Sequence, residues 1–126
     1  MTIKQVRDSH VDKVFGKFIR IRDNWTCITC GLRAPGDSDL IQPGHFVSRS
    51  NYALRWDEKN VNAQCKYCNN HEHSASDKEP YAIALVKKYG QGVLDYLNEL
   101  KHKAVKVDRR SIYDYYKQKL AEISID

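Results

Sequence analysis

Two regions of the chain carry apolar residues at helical spacing, and the region between them does not. Near the start, this spacing predicts an amphipathic helix over residues 11–22, with basic residues off its apolar stripe. In the last third, it predicts helices over residues 81–89, 93–100 and 112–123, with Gly90 ending the first of these three. Much of the chain is therefore expected to be helical.

The middle region has short apolar stretches separated by turn residues. Residues 40–47 predict a strand interrupted at Pro43-Gly44, residues 61–64 predict a second strand, and a short helix is expected to begin around Cys68. We therefore predict an α+β fold in one compact domain of 126 residues. Its parts are an N-terminal amphipathic helix in residues 1–24, a zinc-stabilised core in residues 25–78, and a C-terminal helical extension in residues 79–126.

The composition restricts the class of protein. The chain carries 21 Lys and Arg against 16 Asp and Glu, a formal net charge of +5. A mildly basic surface fits an acidic partner such as nucleic acid, although many proteins without such a partner are as basic. No run of about 18 apolar residues is present, and residues 1–10 lack the apolar core of a secretory signal. We therefore expect no membrane association and a reducing, intracellular location.

Four cysteines form two C-x-x-C pairs, Cys27 with Cys30 and Cys65 with Cys68. Two residues between thiolates let both sulfurs point at one metal ion, and two such pairs complete a closed tetrahedral site of the structural kind. Gly31 suits the positive φ that such turns often need. Two disulfides in a secreted protein are the alternative, which the missing secretory signal disfavours. The sequence therefore predicts one structural Zn²⁺ per chain.

Polar residues around the cysteine pairs form a second pattern. Residues 44–49 read G-H-F-V-S-R, Asn60 lies shortly before the second pair, and Asn69 directly follows it. This arrangement resembles the HNH nuclease family, the zinc-bearing branch of the ββα-metal finger enzymes, with the three letters on His45, Asn60 and Asn69. Within that family, the strings G-H-F-x-S-R, R-W-x-E-K-N and Q-C-x-x-C-N are most similar to the phage NinG proteins, also called Rap.

The resemblance implies a zinc-bound ββα-metal (HNH) finger flanked by an N-terminal helix and C-terminal helices. It also implies a metal-dependent DNA endonuclease that hydrolyses phosphodiester bonds in branched recombination intermediates, such as Holliday junctions and D-loops. Such a phage protein is expected in the cytoplasm of the bacterial host. Because a resolvase cuts two strands symmetrically, a homodimer is expected, with the helix in residues 108–124 as a candidate contact.

The resemblance further assigns roles to individual residues. His45 is the expected general base, since a neutral imidazole with a pKa of about 6.5 can take a proton from water near pH 7. Asn69 is expected to bind a catalytic Mg²⁺ or Mn²⁺ through its amide oxygen, a hard neutral ligand. Asn60 is expected to tie the loop that carries His45, and Arg49 to contact a phosphate bidentately.

One position departs from a common family pattern. Many HNH enzymes carry an Asp or His ligand directly before the general base, where this chain has Gly44. Two outcomes are open: Asn69 holds the ion together with DNA phosphates and waters alone, or the helix adds a second ligand. Glu72 and His73 are the candidates for that ligand, because they follow Asn69 by three and four residues and share its helix face.

The sequence leaves other assignments open. The candidates for DNA contact are Arg49, Arg55, Lys66, Arg109 and Arg110. For Arg55 the alternative is a surface salt bridge to Asp57 or Glu58, and the last helix either binds DNA, pairs two copies or packs on the domain. Two other functions also remain: a sequence-specific HNH nuclease of the homing or restriction type, and a non-catalytic zinc-finger DNA-binding module.

Overall fold

The structure, a computed structural model, describes residues 4–75 and 78–123, without the side chains of residues 72–75. It is a mixed α+β fold, as predicted, with a two-stranded sheet and helices. The elements are α1 (Asp8–Arg22), β1 (Ile41–His45), β2 (Val61–Cys65), α2 (Lys66–Ala75), α3 (Glu79–Tyr89), α4 (Val93–Lys101) and α5 (Arg109–Ile123). No described helix is long and apolar enough to cross a bilayer.

Strands β1 and β2 pair antiparallel, with Ile41 opposite Cys65 and His45 opposite Val61. Pro43 lies inside β1, opposite Ala63, so it does not interrupt the strand as the sequence predicted. A sheet of two strands leaves one edge of each strand unpaired, and a residue without an N–H is tolerated there. Helix α2 follows β2 without a gap, which brings its start two residues before the predicted Cys68.

Helix α5 packs along α1 within the same chain. The ring of Tyr116 on α5 contacts Phe15 and Phe18 on α1, with ring centroids 4.8 and 5.1 Å apart. Tyr113 and Tyr116 are buried in the same apolar cluster as Val11. The buried face of α5 is therefore used inside the chain, and a contact between two copies would need a different face.

Helices α3 and α4 cover the loop that follows β1. Leu54 in this loop is fully buried among Leu85 of α3 and Leu97 of α4. The buried hydroxyl of Tyr81 donates a hydrogen bond of 2.6 Å to the carbonyl of Gly44 and accepts one of 3.2 Å from the backbone N–H of Asn62. Helix α3 thus fixes the end of β1, which carries His45.

Candidate functional site

The four cysteines lie together between the loop before β1 and the start of α2. Their sulfur atoms are all within 4.8 Å of one another, and Cys30 Sγ is 3.7 Å from Cys65 Sγ. Zn–S bonds of about 2.3 Å at tetrahedral angles place sulfurs about 3.8 Å apart. The backbone N–H groups of Cys30 and Cys68 point at the sulfurs of Cys27 and Cys65, at 3.5 and 3.4 Å. This geometry suits a cation and not a disulfide.

The chemistry of the cluster fits zinc as well. Burial and the neighbouring Cys65 raise the pKa of the Cys68 thiol above its usual value. Four thiolates therefore form at this site only with a cation that offsets their charge, and zinc does so in closed four-cysteine sites. Gly31 has a φ of +80°, as predicted, and its N–H donates to the carbonyl of Cys27 at 2.9 Å. The cluster can therefore hold the predicted Zn²⁺.

A small cavity of about 180 Å³ lies beside the sheet, between α1, β1 and α2. Its lining residues are Asp12, Phe15, Gly16, Pro43, His45, Arg49 and Asn69. Helix α1 approaches β1 closely here, since a Cβ on Gly16 would lie 3.2 Å from Pro43 Cγ. The imidazole of His45 and the carboxamide of Asn69, which the sequence predicted to act together, thus share one cavity.

The hydrogen bond of His45 fixes which ring nitrogen carries the proton. His45 Nε2 lies 2.8 Å from the backbone carbonyl of Arg55. A carbonyl only accepts, so Nε2 of the neutral ring is the donor and Nδ1 keeps a free lone pair. Burial lowers the pKa of His45 below its usual value of 6.5. At neutral pH the ring is therefore an uncharged base with one defined acceptor nitrogen.

Asn69 stands on the first turns of α2 and reaches back to β1. Its Nδ2 donates to Gln42 Oε1 at 2.9 Å. Among the described residues, Oδ1 has no hydrogen-bond partner, so it is the atom available to a ligand. A neutral amide oxygen is among the ligands that Mg²⁺ and Mn²⁺ accept.

Asn60 lies under the loop after β1 and does not line the cavity. It is fully buried. Its Oδ1 accepts from the N–H of Val47 at 2.8 Å, and its Nδ2 donates to the carbonyls of Val47 and Leu54 at 3.1 and 3.0 Å. The hydrogen bonds predicted for Asn60 are present, and they hold the chain that leaves His45.

Two of the predicted arginines share one carboxylate, that of Asp12. The side chain of Arg49 is 63% exposed, lines the cavity, and places Nη2 2.7 Å from Asp12 Oδ2. Arg55 is buried, with Nη2 2.6 Å from the same oxygen and Nη1 3.9 Å from Asp8. The expected DNA contact of Arg55 is therefore corrected: its guanidinium is enclosed by protein. Its expected alternative partners, Asp57 and Glu58, are not the carboxylates it binds.

Comparison with known proteins places the chain in a family. The profile of the family described as "Bacteriophage Lambda NinG protein" matches residues 3–125. The chain belongs to the NinG family. It is 33% identical over 110 residues to Protein ninG of Escherichia phage 933W, 31% to that of Escherichia phage lambda and 30% to that of Salmonella phage P22. Each match covers 84% of the chain and 52% of the relative, so the chain spans about half the length of these NinG relatives. No solved structure matches it.

The remaining predicted site residues of this NinG-family chain are scattered. Lys66 is exposed at the start of α2. Arg109 on α5 pairs with Asp8, and Arg110 is exposed, 3.9 Å from the carboxylate of Asp114. None of the three lines the cavity. Glu72 and His73 lie within α2, but their side chains are outside the described part of the chain, so their predicted role as ligands stays a prediction.

Sequence reasoning missed Asp12, which lies in the cavity and binds both arginines. A signal was present, because Asp12 is the one acidic residue among the basic residues of segment 11–22. The spacing of residues on a helix does not show whether a charged side chain is solvated or pairs with another part of the protein. The partners of Asp12 come from a loop 37 to 44 residues away.

Proposed function

We propose that this NinG-family chain is a metal-dependent DNA endonuclease of the HNH type. The observation that carries the proposal is the shared cavity, in which His45 with a defined acceptor nitrogen and Asn69 with a free amide oxygen face the same small space. Hydrolysis of a phosphodiester needs a base for water and a positive charge at the phosphate. Both requirements have a candidate residue in this cavity.

His45 acts on the water in this proposal. Nδ1 takes the proton from the attacking water, while the bond from Nε2 to the Arg55 carbonyl stabilises the imidazolium that forms. Arg49 at the cavity mouth binds a non-bridging phosphate oxygen and offsets charge in the transition state. These two side chains come from β1 and from the loop that follows it, which Asn60 holds.

Asn69 is the residue that would hold a catalytic Mg²⁺ or Mn²⁺ through Oδ1, with phosphate and water completing the shell. When bound, such an ion supplies Lewis-acid stabilisation of the phosphate and the leaving oxygen. Asp12 lines the same cavity, but both of its oxygens accept hydrogen bonds from arginine. Of the described side chains in the cavity, Asn69 therefore remains the one suited to a hard cation.

The order of elements supports the HNH assignment. Strand β1 ends at His45, β2 runs antiparallel to it, and α2 begins directly after β2 and carries Asn69. Both C-x-x-C pairs lie at the base of this ββα unit. Four cysteines that hold one Zn²⁺ fix the helix against the sheet, and so fix the separation of His45 and Asn69.

Branched DNA is the proposed substrate, following the resemblance to NinG proteins. The described residues present few elements that would read base edges in a groove, and the exposed cations suit phosphates. Recognition of shape through the backbone is therefore favoured over recognition of sequence. Two copies acting on one junction remain part of this proposal.

The test incubates pure protein with a four-way junction, a linear duplex or single-stranded DNA, with Mg²⁺ or with EDTA. We expect Mg²⁺-dependent cutting of the junction, which His45→Ala abolishes while the variant still folds and binds. The matched control is His102→Ala, because His102 is exposed and lies outside the cavity. Binding without cutting would favour the non-catalytic module, and cutting at one site of a duplex would favour a sequence-specific nuclease.

A further inference from the structure

We infer that Asp12 of α1 is a positioning residue for this site, which holds Arg49 at the cavity mouth and, through Arg55, the carbonyl that orients His45. The inference rests on the proposed function. It adds the N-terminal helix to a site that the sequence places in β1, its loop and α2.

The carboxylate of Asp12 is fully used. Oδ1 accepts from Trp56 Nε1 at 2.9 Å and from Arg55 Nε at 3.1 Å. Oδ2 accepts from Arg55 Nη2 at 2.6 Å and from Arg49 Nη2 at 2.7 Å. Two carboxylate oxygens offer about four acceptor positions, so Asp12 binds side chains and leaves no position for a cation.

Arg55 transmits the position of Asp12 to His45. Its guanidinium is held in a fork by Asp12, and its Nη1 donates to the carbonyl of Arg49 at 3.3 Å. The same residue's own carbonyl accepts from His45 Nε2. A buried guanidinium that lost its carboxylate would move toward water, since an unpaired buried charge is costly. The carbonyl that orients His45 would then move with it.

Arg49 depends on Asp12 for its direction. In the described part of the chain, its guanidinium bonds only to Asp12 and uses only Nη2 for that bond, so the other nitrogens remain available to a phosphate. An exposed pair contributes little to stability. The value of this pair is that a long, exposed side chain is already placed at the cavity before substrate arrives.

The charge of Asp12 is constant over the working pH range. Burial raises the pKa of Asp12, but the hydrogen bonds from Arg55 and Trp56 outweigh burial, and the pKa lies below its usual value of 3.8. Changes of activity near neutral pH therefore come from other groups, and Asp12 acts as a fixed anion.

The test compares Asp12→Asn with Asp95→Asn. Asp95 is exposed on α4 and does not line the cavity, so both variants lose the same charge. We expect Asp12→Asn to lower kcat about tenfold or more, by misplacing the reacting groups, while KM stays constant or falls because an anion near the DNA is removed. The control is expected to keep kcat within about threefold, since its charge change lies outside the cavity.

A second readout needs neither DNA nor a metal ion in the cavity. Nitrogen NMR shifts of His45 report which ring nitrogen carries the proton. We expect the Nε2–H form in the wild type and in Asp95→Asn, and a mixture of both forms in Asp12→Asn. If wild-type protein cuts no DNA, the proposed function fails, and the NMR comparison still decides the role of Asp12. Identical His45 spectra in the two variants would overturn it.

If Asp12→Asn does not fold, Asp12→Glu replaces it. Glutamate keeps the charge and both arginine partners but moves the carboxylate by one methylene. We expect this variant to retain the Nε2–H form of His45 and to recover part of kcat. A Glu variant with wild-type kcat would show that any nearby anion suffices, which contradicts a positioning role.

Discussion

Gly44 and Gln64 lie so close on the paired strands that a Cβ on residue 44 would overlap the side-chain oxygen Oε1 of Gln64. Gln64 is fully buried, and its Nε2 donates to Thr29 Oγ1 at 3.1 Å. The space beside residue 44 is thus filled by a side chain of β2. A ligand side chain directly before His45, as in the HNH enzymes that the sequence resembles, would fit only if Gln64 moved.

Gly44→Ala is therefore expected to destabilise the fold. Overpacking of a filled interior typically costs about 1–3 kcal/mol, and the neighbouring atoms here belong to a buried side chain that is held by Thr29. Urea unfolding followed by circular dichroism measures the difference. Gly36→Ala is the control, because its added Cβ would meet Trp25 at an ordinary 3.6 Å. Equal stability of the two variants would contradict the close fit described above.

Asn60→Ala is expected to destabilise the chain more than an exposed asparagine variant does. The substitution removes three hydrogen bonds, and the N–H of Val47 and the carbonyls of Val47 and Leu54 lose this partner. Each of these groups that stays both buried and unsatisfied costs about 1–3 kcal/mol. Thermal unfolding is the measurement, with Asn70→Ala as control, since Asn70 is exposed on α2. A Tm shift no larger than that of the control would show that Asn60 does not hold the loop.

Cys65→Ser is expected to lose zinc and, with it, the fold of the central region. Cys65 is buried, and binding of a structural zinc ion contributes about 10–16 kcal/mol of apparent free energy in small zinc domains. Atomic absorption gives the zinc content, and circular dichroism gives the folded fraction. Chelation of wild-type protein should reproduce the variant's spectrum. A folded variant without zinc would show that the cysteines do not stabilise the domain.

The lowered pKa of His45 predicts a direction for pH dependence. Because the folded ring has a pKa below its usual 6.5, the unfolded chain binds more protons as the pH falls below 6.5, and stability falls with it. His45→Gln cannot take this proton, so its free energy of unfolding should fall less between pH 6.5 and pH 5. Cleavage should stay constant above pH 6.5 and decline only below it. A wild-type decline that begins well above pH 6.5 would contradict this assignment.

Short sequence patterns predicted the buried face of the first helix and the meeting of the two cysteine pairs. The stripe of residues 11–22 is buried as expected at Val11, Phe15 and Ile19, and the two C-x-x-C pairs meet in space. Helix α1 nevertheless begins at Asp8, ahead of its apolar stripe, and Asp8 bonds to Tyr52 and Arg109 from distant parts of the chain. Contacts between distant segments produce no regular spacing of residues, so they cannot be predicted from hydrophobic periodicity.

The cysteine cluster was predictable, because its spacing is read within two short motifs. The shared cavity of His45 and Asn69 was expected from the family resemblance. The position of Arg55 was not, because its burial depends on Asp12, a residue 43 positions earlier. Nor was the packing of α5 on α1, which Tyr116 and Phe15 establish across nearly the whole chain. For ion pairs and aromatic contacts between distant segments, the sequence identifies candidate residues, and only the folded structure shows which of them meet.

Arg49 provides the sharpest test of the proposed contact with DNA. Its side chain is exposed at the cavity mouth, so Arg49→Ala should weaken DNA binding and reduce the slope of log K against log salt by about 1, as expected for one lost phosphate contact. Fluorescence anisotropy with a labelled four-way junction at several salt concentrations measures both quantities. The control is Arg33→Ala, because Arg33 is also exposed but lines a different recess with Asn24 and Trp25. The same loss of slope in both variants would indicate diffuse attraction to a basic surface, and would remove Arg49 from the phosphate site.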